Sequence, residues 1–298
     1  MLAILSRNPV TKHEVVTYNT AVHQASLYAD ELCVTKKDVE FEAFQTKDKF
    51  SGALLFDIEN QEILYSEKAN EKLYPASVTK IMTAYLALKY GELGDYVTIS
   101  ENAVDVPSDS SSARLQQGDI LTLEDLLYAL MLPSGNDSAI AIAEHISGSE
   151  ESFVELMNKE ANSIGATNTH FVNSHGYHDD KHYTTAYDLY LIFQECIKNE
   201  TFLQIIASTS WETLIKQADG TTREAIWPQS NLFMTNGRSV PKGITLFGGK
   251  TGNTNDAGSC ILLYGQDSKD TPFIAIIMGA SSRRNLYDNM TFLLDAIE

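Results

Sequence analysis

The sequence predicts an α+β fold in which an antiparallel β-sheet is flanked by helices and a helical region is inserted into it. Strand patterns occur at both ends of the chain, in residues 49–66 and 240–280, and helical patterns fill most of residues 77–200. Strands from both ends can share one sheet if the segment between them packs outside it. We therefore expect a cleft where the sheet edge meets the inserted helices.

The N-terminal region differs from the rest of the chain. Residues 1–48 are mixed and polar without sustained periodicity, so we interpret them as an extended arm or linker. Residues 49–298 then form one domain, which is long enough to bury a large core. This domain begins with a predicted β-hairpin, because the apolar segments 52–57 and 62–66 flank a turn-like Glu-Asn-Gln sequence at 59–61.

Helical patterns fill the middle third of the chain. The stretch from Ser77 to Tyr90 is apolar nearly all round and stops at Gly91, which predicts a buried helix. The next pattern begins with a capping box formed by Thr122 and Asp125. The predicted helices cover residues 77–90, 122–131, 137–146, 151–164 and 185–198.

The last quarter of the chain returns to strands. Apolar segments at 245–248, 257–264 and 272–278 are bounded by turn residues, which is typical of strands. A final amphipathic helix is predicted from Arg283 to Ile297, because its apolar residues recur at helical spacing.

The charge balance excludes some partners. The chain carries 22 basic and 40 acidic residues, a net charge of −18 at pH 7. Such a surface repels phosphate groups, so we expect no nucleic-acid partner. It also disfavours electrostatic docking on anionic lipid. No segment reaches the roughly 18 apolar residues that span a bilayer, so we predict no transmembrane segment in this chain.

The three cysteines are Cys33, Cys196 and Cys260, too few for a disulfide scaffold. None has the spacing of a zinc site, and we predict no zinc. Cys196 lies in a helical pattern and Cys260 in an apolar strand, where free cysteines usually serve as small buried residues.

The sequence Ser77-Val78-Thr79-Lys80 places a hydroxyl and an amine three residues apart. On a helix these positions share a face, so the two groups can hydrogen-bond. A serine hydroxyl is a poor nucleophile until a base takes its proton, and apolar surroundings favour the neutral, basic form of lysine. By itself, S-x-x-K also fits an ordinary helix cap followed by a solvated lysine.

Two further motifs are equally short. Ser134-Gly135-Asn136 lies in a turn between predicted helices, and by itself it fits an ordinary loop. Lys250-Thr251-Gly252 follows an apolar strand that ends at Gly248-Gly249. Glycines there favour close approach of a ligand, and the lysine and threonine suit a carboxylate, although a strand end with a solvated lysine is the plainer interpretation.

Together, the order S-x-x-K, S-x-N, K-T-G resembles the motif set of the penicillin-recognising serine enzymes, which implies a β-lactamase/transpeptidase-like fold. From about Gly52 to its C-terminus, the chain is similar to the low-molecular-mass penicillin-binding proteins, the D-alanyl-D-alanine carboxypeptidases of peptidase family S11. The supporting stretches are residues 74–77, 133–137, 173–176, 183–188, 250–254 and 257–258.

This resemblance implies a catalytic role for three side chains. Ser77 attacks the carbonyl between two D-alanines, Lys80 accepts its proton, and Ser134 relays a proton to the departing D-alanine. The backbone N–H groups of Ser77 and Asn253 form the oxyanion hole. No metal or cofactor is implied.

The resemblance also implies how the substrate is held. Asn136 holds the substrate's amide, while Lys250 and Thr251 bind its terminal carboxylate. Gly252 lets the substrate lie along the strand edge. His175 sits in a family-like stretch, and we interpret it as structural because the Ser-Lys pair already supplies the acid–base chemistry.

The expected function is that of a serine-type D-Ala-D-Ala carboxypeptidase that trims peptidoglycan stem peptides and is acylated by β-lactams. The resemblance implies a location outside the cytoplasmic membrane, yet residues 1–5, ahead of Arg7, are too short for a signal-peptide core. We also expect this chain to lack the C-terminal β-domain and the amphipathic anchor of many relatives.

Alternative functions remain open at this point. A class A β-lactamase would carry an E-x-x-L-N stretch between the second and third motifs, and the residues around 150–162 do not fit it. A non-catalytic β-lactam or peptidoglycan sensor would usually carry a transmembrane segment, and none is visible. Endopeptidase and transpeptidase activities use the same acyl-enzyme and differ only in leaving group and acceptor.

Overall fold

The structure is a computed structural model that describes residues 37–42, 44 and 49–297. Most of the predicted arm, with Cys33, lies outside the described residues, so the division of the chain at residue 48 stays a prediction. Within the arm, Val39 forms an antiparallel bridge with Ser66. Phe44 is buried, with its ring 4.9 Å from that of Tyr65.

A five-stranded antiparallel sheet of order β2-β1-β9-β8-β7 forms the centre of the molecule. Strands from both ends of the domain thus share one sheet, which confirms the predicted α+β class. The strands of the described residues are β1 (Gly52–Asp57), β2 (Glu62–Glu67), β3 (Tyr96–Thr98), β4 (Ile120–Thr122), β5 (Ser210–Lys216), β6 (Thr222–Pro228), β7 (Thr245–Thr254), β8 (Gly258–Gln266) and β9 (Pro272–Ala280).

Both faces of the central sheet are buried, and the strand sequences show why. Alternate residues of a strand point to opposite faces. In β1, Leu54 and Phe56 join the apolar cluster on the side of the inserted helices, whereas Ala53 and Leu55 join a second cluster under the C-terminal helix. Strands buried on both faces are apolar throughout rather than alternating, as in Phe273–Met278 of β9.

Seven helices lie between β2 and β7, and one follows β9. None of the helices within the described ranges combines the length and apolarity that crossing a membrane demands. The helices are α1 (Lys80–Tyr90), α2 (Glu101–Val104), α3 (Leu123–Met131), α4 (Asn136–Ser147), α5 (Glu150–Ile164), α6 (Ala186–Cys196), α7 (Glu200–Ala207) and α8 (Arg283–Asp295).

The helix starts depend on local capping. The predicted capping box of Thr122 and Asp125 is present at the start of α3. The helix predicted to begin at Ser77 instead starts as a 3₁₀ turn, Ala76–Thr79, before α1 begins at Lys80. Ala76 has a φ of 49°, which no right-handed helix accommodates, so the turn is entered abruptly.

Two features of the strands differ from the prediction. A second, four-stranded sheet of order β3-β4-β5-β6 was not predicted. In addition, β7 does not stop at Gly248 but continues to Thr254, with Lys250 opposite Leu262 of β8. The K-T-G motif therefore lies within an edge strand and not in a turn beyond it.

Candidate active site

The three motifs meet around Ser77, which lines two cavities. One cavity, of about 350 Å³, is lined by Ser77, Ser134 and Thr251, and it extends to Arg283 on α8. The other, of about 390 Å³, is lined by Ser77, Asn136 and the loop that carries Tyr177. A larger groove of about 940 Å³ runs along the second sheet and contains none of the motif residues.

Ser77 and Lys80 are in contact because one lies in the 3₁₀ turn and the other begins α1. The Lys80 Nζ lies 3.0 Å from the Ser77 Oγ. It also lies 2.7 Å from the Asn136 Oδ1 and 2.8 Å from the His175 carbonyl oxygen. The Lys80 side chain is fully buried, so these three oxygens are its hydrogen-bond partners in the described structure.

The surroundings of Lys80 favour a neutral amine. Burial lowers the pKa of Lys80 well below its usual value, and the charge of Lys250 lowers it further, while Asp137 acts in the opposite direction. A neutral amine has two N–H donors and one lone pair. The Asn136 and His175 oxygens can only accept, so they take the two donors, and the lone pair is left for the Ser77 hydroxyl proton.

Ser134 is the second hydroxyl of the site. It lies in the turn between α3 and α4 with a φ of 68°, a conformation that L-residues rarely adopt. Its Oγ accepts a hydrogen bond of 2.9 Å from the Lys250 Nζ, which also donates to the Thr251 carbonyl oxygen at 3.0 Å. Burial lowers the pKa of Lys250 to about 7. Strained backbone of this kind is found where a side chain must be aimed precisely.

The K-T-G strand forms the rim of the cleft, since β7 is an edge strand of the central sheet. Gly252 lies directly against the 3₁₀ turn that carries Ser77. A Cβ at Gly252 would come within 2.8 Å of the Ser77 backbone nitrogen and 3.0 Å of the Pro75 carbonyl oxygen. Only a residue without a side chain allows the strand to approach so closely. Asn253, the next residue, lines both cavities beside Ser77.

Three residues of the site were missed in the sequence. Gly176, with a φ of 85°, packs so closely that a Cβ there would lie 1.9 Å from the Ala76 carbonyl oxygen. Arg283 lines the Ser134 cavity and donates to the Ser230 carbonyl oxygen at 2.8 Å. Asp137 is buried and accepts hydrogen bonds from Ser112, Ala113 and Leu115, which fixes the loop that lines the cleft. The sequence shows Gly176 after Asn-Ser-His, but it does not show that this glycine contacts Ala76.

His175 contributes its main chain rather than its ring to the Ser77 centre. Its carbonyl oxygen contacts Lys80, its Nδ1 accepts from the Tyr177 N–H at 3.0 Å, and its Nε2 lies 3.7 Å from Glu150. Burial lowers the pKa of His175 to about 3, so its ring is neutral. Within the residues that the structure describes, no group of three or more His, Cys, Asp or Glu side chains could hold a metal ion.

Comparison with known sequences points to one family. The family model described as D-alanyl-D-alanine carboxypeptidase, Peptidase S11, matches residues 41–282. The D-alanyl-D-alanine carboxypeptidase DacF of Bacillus subtilis is 34% identical over 249 residues, which cover 82% of this chain and 61% of that protein. DacA of Haemophilus influenzae is 33% identical over 255 residues, or 83% and 61% of the two chains. The chain thus spans about three fifths of the length of these relatives.

Solved structures agree with this assignment. The crystal structure of the Streptomyces K15 DD-transpeptidase matches with a TM-score of 0.76 at 27% identity, covering 88% of this chain and 98% of that one. Penicillin binding protein 5 from Haemophilus influenzae matches with a TM-score of 0.73 at 30% identity, covering 84% and 71%. Because more than four fifths of this chain is covered, the similarity includes the central sheet and the inserted helices together.

Proposed function

The chain belongs to the S11 family of D-alanyl-D-alanine carboxypeptidases, and we propose that it hydrolyses the terminal D-Ala-D-Ala bond of peptidoglycan stem peptides through an acyl-enzyme on Ser77. The observation that carries this proposal is the contact of 3.0 Å between the Ser77 hydroxyl and the buried amine of Lys80. A base held neutral beside a serine is what nucleophilic attack on an amide requires.

Acylation follows from this contact. As the Ser77 Oγ bonds to the carbonyl carbon of the scissile amide, its proton passes to the Lys80 lone pair. The carbonyl oxygen becomes an oxyanion, which the N–H groups of Ser77 and Asn253 stabilise, and losing one such donor typically costs about a hundredfold in rate. The C–N bond then breaks, and the departing amine takes up the proton that left Ser77, with the Ser134 hydroxyl as the proposed relay.

Substrate binding uses the two cavities. Lys250 and Thr251 would hold the terminal carboxylate. Thr251 and the cation Arg283 line the Ser134 cavity, whereas Lys250 is buried behind it with its Nζ 2.9 Å from the Ser134 Oγ. The cavity beyond Asn136 would take the part of the peptide that stays on the enzyme. The open edge of β7 offers main-chain hydrogen bonds to an extended peptide. Water then attacks the ester on Ser77 and releases the shortened stem.

The setting of the reaction is proposed on the same grounds. Peptidoglycan lies outside the cytoplasmic membrane, so an enzyme that trims it would act there. β-Lactams would acylate Ser77 because their strained amide presents the same carbonyl and carboxylate to the site. The acyl-enzyme also leaves endopeptidase and transpeptidase outcomes open, since these change only the leaving group or the acceptor.

The test is acylation followed by intact-mass measurement. Wild-type protein treated with penicillin should gain one adduct per chain, Ser77→Ala should gain none, and Ser147→Ala, at the far end of α4, should behave like wild type. An unchanged adduct on the Ser77→Ala variant would remove this residue from the mechanism.

A second measurement separates the activities. Wild type should release D-alanine from diacetyl-Lys-D-Ala-D-Ala and should release its penicillin adduct slowly. Rapid repeated penicillin turnover would instead indicate a β-lactamase. An adduct without any D-alanine release would indicate a sensor.

A further inference from the structure

The turn that carries Ser77 is strained and needs support from outside itself. Ala76, directly before the nucleophile, has a φ of 49°, which costs an L-residue on the order of 1–2 kcal/mol. Such a conformation persists only where the surrounding structure over-determines it. The backbone nitrogen and the hydroxyl of Ser77 both depend on this turn, because they follow the Ala76 peptide directly.

A buried chain of hydrogen bonds holds the Ala76 carbonyl oxygen. The Thr79 Oγ1 lies 2.8 Å from that oxygen and 2.8 Å from the His182 Nε2. The His182 Nδ1 lies 3.2 Å from the backbone nitrogen of Val172. Both Thr79 and His182 are almost fully buried, at 1% and 2% exposure, so water cannot replace these contacts.

The position of every proton in this series of hydrogen bonds follows from the two groups at its ends, the Val172 N–H and the Ala76 carbonyl. The Val172 N–H can only donate, so the His182 Nδ1 must carry its lone pair. The ring proton of neutral His182 therefore lies on Nε2 and is donated to the Thr79 Oγ1. The Ala76 carbonyl can only accept, so the Thr79 hydroxyl donates to it. Each donor then has one acceptor. All three hydrogen bonds can form together only if the His182 ring is neutral with its proton on Nε2.

Other contacts around His182 agree with a fixed ring. The Phe171 ring packs edge-on with centroids 5.6 Å apart, and the backbone N–H of His182 donates to the Asp179 carbonyl oxygen at 2.9 Å. Burial lowers the pKa of His182 to about 3. Neither ring nitrogen is left to contact Ser77, so the ring is no general base for the reaction.

We propose that His182 is a positioning residue that holds the nucleophile turn in its strained form, acting through Thr79 on the Ala76 carbonyl. Gly176 packs against the same hydrogen bond, since a Cβ there would lie 1.9 Å from the Ala76 carbonyl oxygen and 2.7 Å from the Thr79 Oγ1. The inference rests on the proposed role of Ser77, and it adds that the reactivity of this hydroxyl depends on a residue that never touches substrate.

Kinetics of two paired variants test the proposal. His182→Phe and Thr79→Val keep the side-chain volume and remove the hydrogen bonds, so the second-order rate of Ser77 acylation by penicillin should fall about ten- to a hundredfold, the effect of small misplacements of reacting groups. Thr79→Ser keeps the hydroxyl and should stay within about threefold of wild type. For the D-Ala-D-Ala peptide, kcat should fall while KM changes little, because the rim residues are untouched.

A destabilised control separates positioning from general loss of stability. Leu293→Ala removes buried side-chain volume from α8 in the cluster on the other face of the sheet, so it should lower Tm without lowering the acylation rate. A His182→Phe enzyme that acylates within twofold of wild type would overturn the proposal. So would a Thr79→Ser enzyme as slow as Thr79→Val, or a Leu293→Ala enzyme as slow as His182→Phe.

A spectroscopic measurement separates this inference from the proposed function. In ¹⁵N-histidine NMR, His182 should be neutral with its proton on Nε2 at pH 5, and its Nε2 signal should shift in Thr79→Val. A ring protonated on Nδ1, or on both nitrogens, would overturn the inference whatever the activity. If wild type is acylated but releases no D-alanine, the proposed function fails, and the acylation rates still decide the role of His182.

Discussion

Two lysines in the site are buried with neutral hydrogen-bond partners. In the described part of the chain, Lys80 contacts a hydroxyl, an amide oxygen and a main-chain carbonyl, and Lys250 contacts a hydroxyl and a main-chain carbonyl. Burial favours loss of the proton from both amines, and the charge of Lys250 further favours it at Lys80. The chemistry needs this arrangement, and the folded state is less stable for it.

The burial of Lys250 should make the stability of the folded protein depend on pH. Its pKa is about 7 in the folded protein against 10.5 for an ordinary lysine, so between those values the unfolded chain holds the extra proton. Burial of the charged amine therefore destabilises the folded protein by its full amount below pH 7. This destabilisation decreases as pH rises toward 10.5. Relative to Lys250→Met, the free energy of unfolding of wild type should rise by roughly 5 kcal/mol across this range, at about 1.4 kcal/mol per pKa unit.

Urea unfolding at a series of pH values measures this difference. Groups that Lys250 does not influence cancel when the Lys250→Met curve is subtracted from the wild-type curve. Lys80 is the exception, because the charge of Lys250 lowers its pKa. An exposed lysine serves as control, and the difference between wild type and Lys242→Met should be nearly flat. A flat difference for Lys250→Met as well would show that this amine stays charged in the folded protein.

At the scale of elements, the site depends on how closely an edge strand approaches a turn. Gly252 of β7 touches the 3₁₀ turn at Ser77, and the strand is anchored from behind by its pairing with β8. A β-strand paired along one edge cannot retreat at one residue without breaking its ladder. The steric clash of an added methyl group would therefore be relieved by a shift of the Ser77 turn rather than of the sheet.

Gly252→Ala should consequently slow acylation by about a hundredfold, with a modest change in Tm, because displacement of the reacting groups by an ångström has effects of that size. The φ of Gly252 is not in the left-handed region, so the effect comes from the contact and not from the backbone. Gly94→Ala is the matched control, since a Cβ there meets nothing within 4 Å. Acylation of Gly252→Ala at the Gly94→Ala rate would contradict the argument.

The elements that could be predicted are those whose own sequence carries the signal. The buried strands and the long helices have apolar runs and caps, and the three-residue spacing of Ser77 and Lys80 already places their side chains together. In contrast, β5 and β6 have alternating exposed residues, with few buried side chains between them, so no apolar face indicated a sheet. The roles of Arg283 and His182 arise only from tertiary contacts between distant segments, and no local pattern indicates such contacts.

At the scale of the whole molecule, the candidate active site lies between elements that belong to the two apolar clusters. The cavity beside Ser77 is lined by Ser134 from the inserted helical region, by Thr251 from the central sheet, and by Arg283 and Tyr287 from α8. The helices belong to one cluster and α8 to the other, and the sheet separates them. Since β1, β2, β8 and β9 each contribute side chains to both clusters, neither cluster can lose its packing without disturbing the other.

This architecture predicts that the domain unfolds as one unit and that acylation stabilises all of it. A group bound only by the native state raises the free energy of unfolding, and for a domain of this size about 1 kcal/mol corresponds to 2–4 °C in Tm. Penicillin treatment should therefore shift a single calorimetric transition upward by at least about 4 °C, and Ser77→Ala should show no shift. Two separate transitions, with only one displaced by the acyl group, would mean that the clusters fold independently and that the site does not couple them.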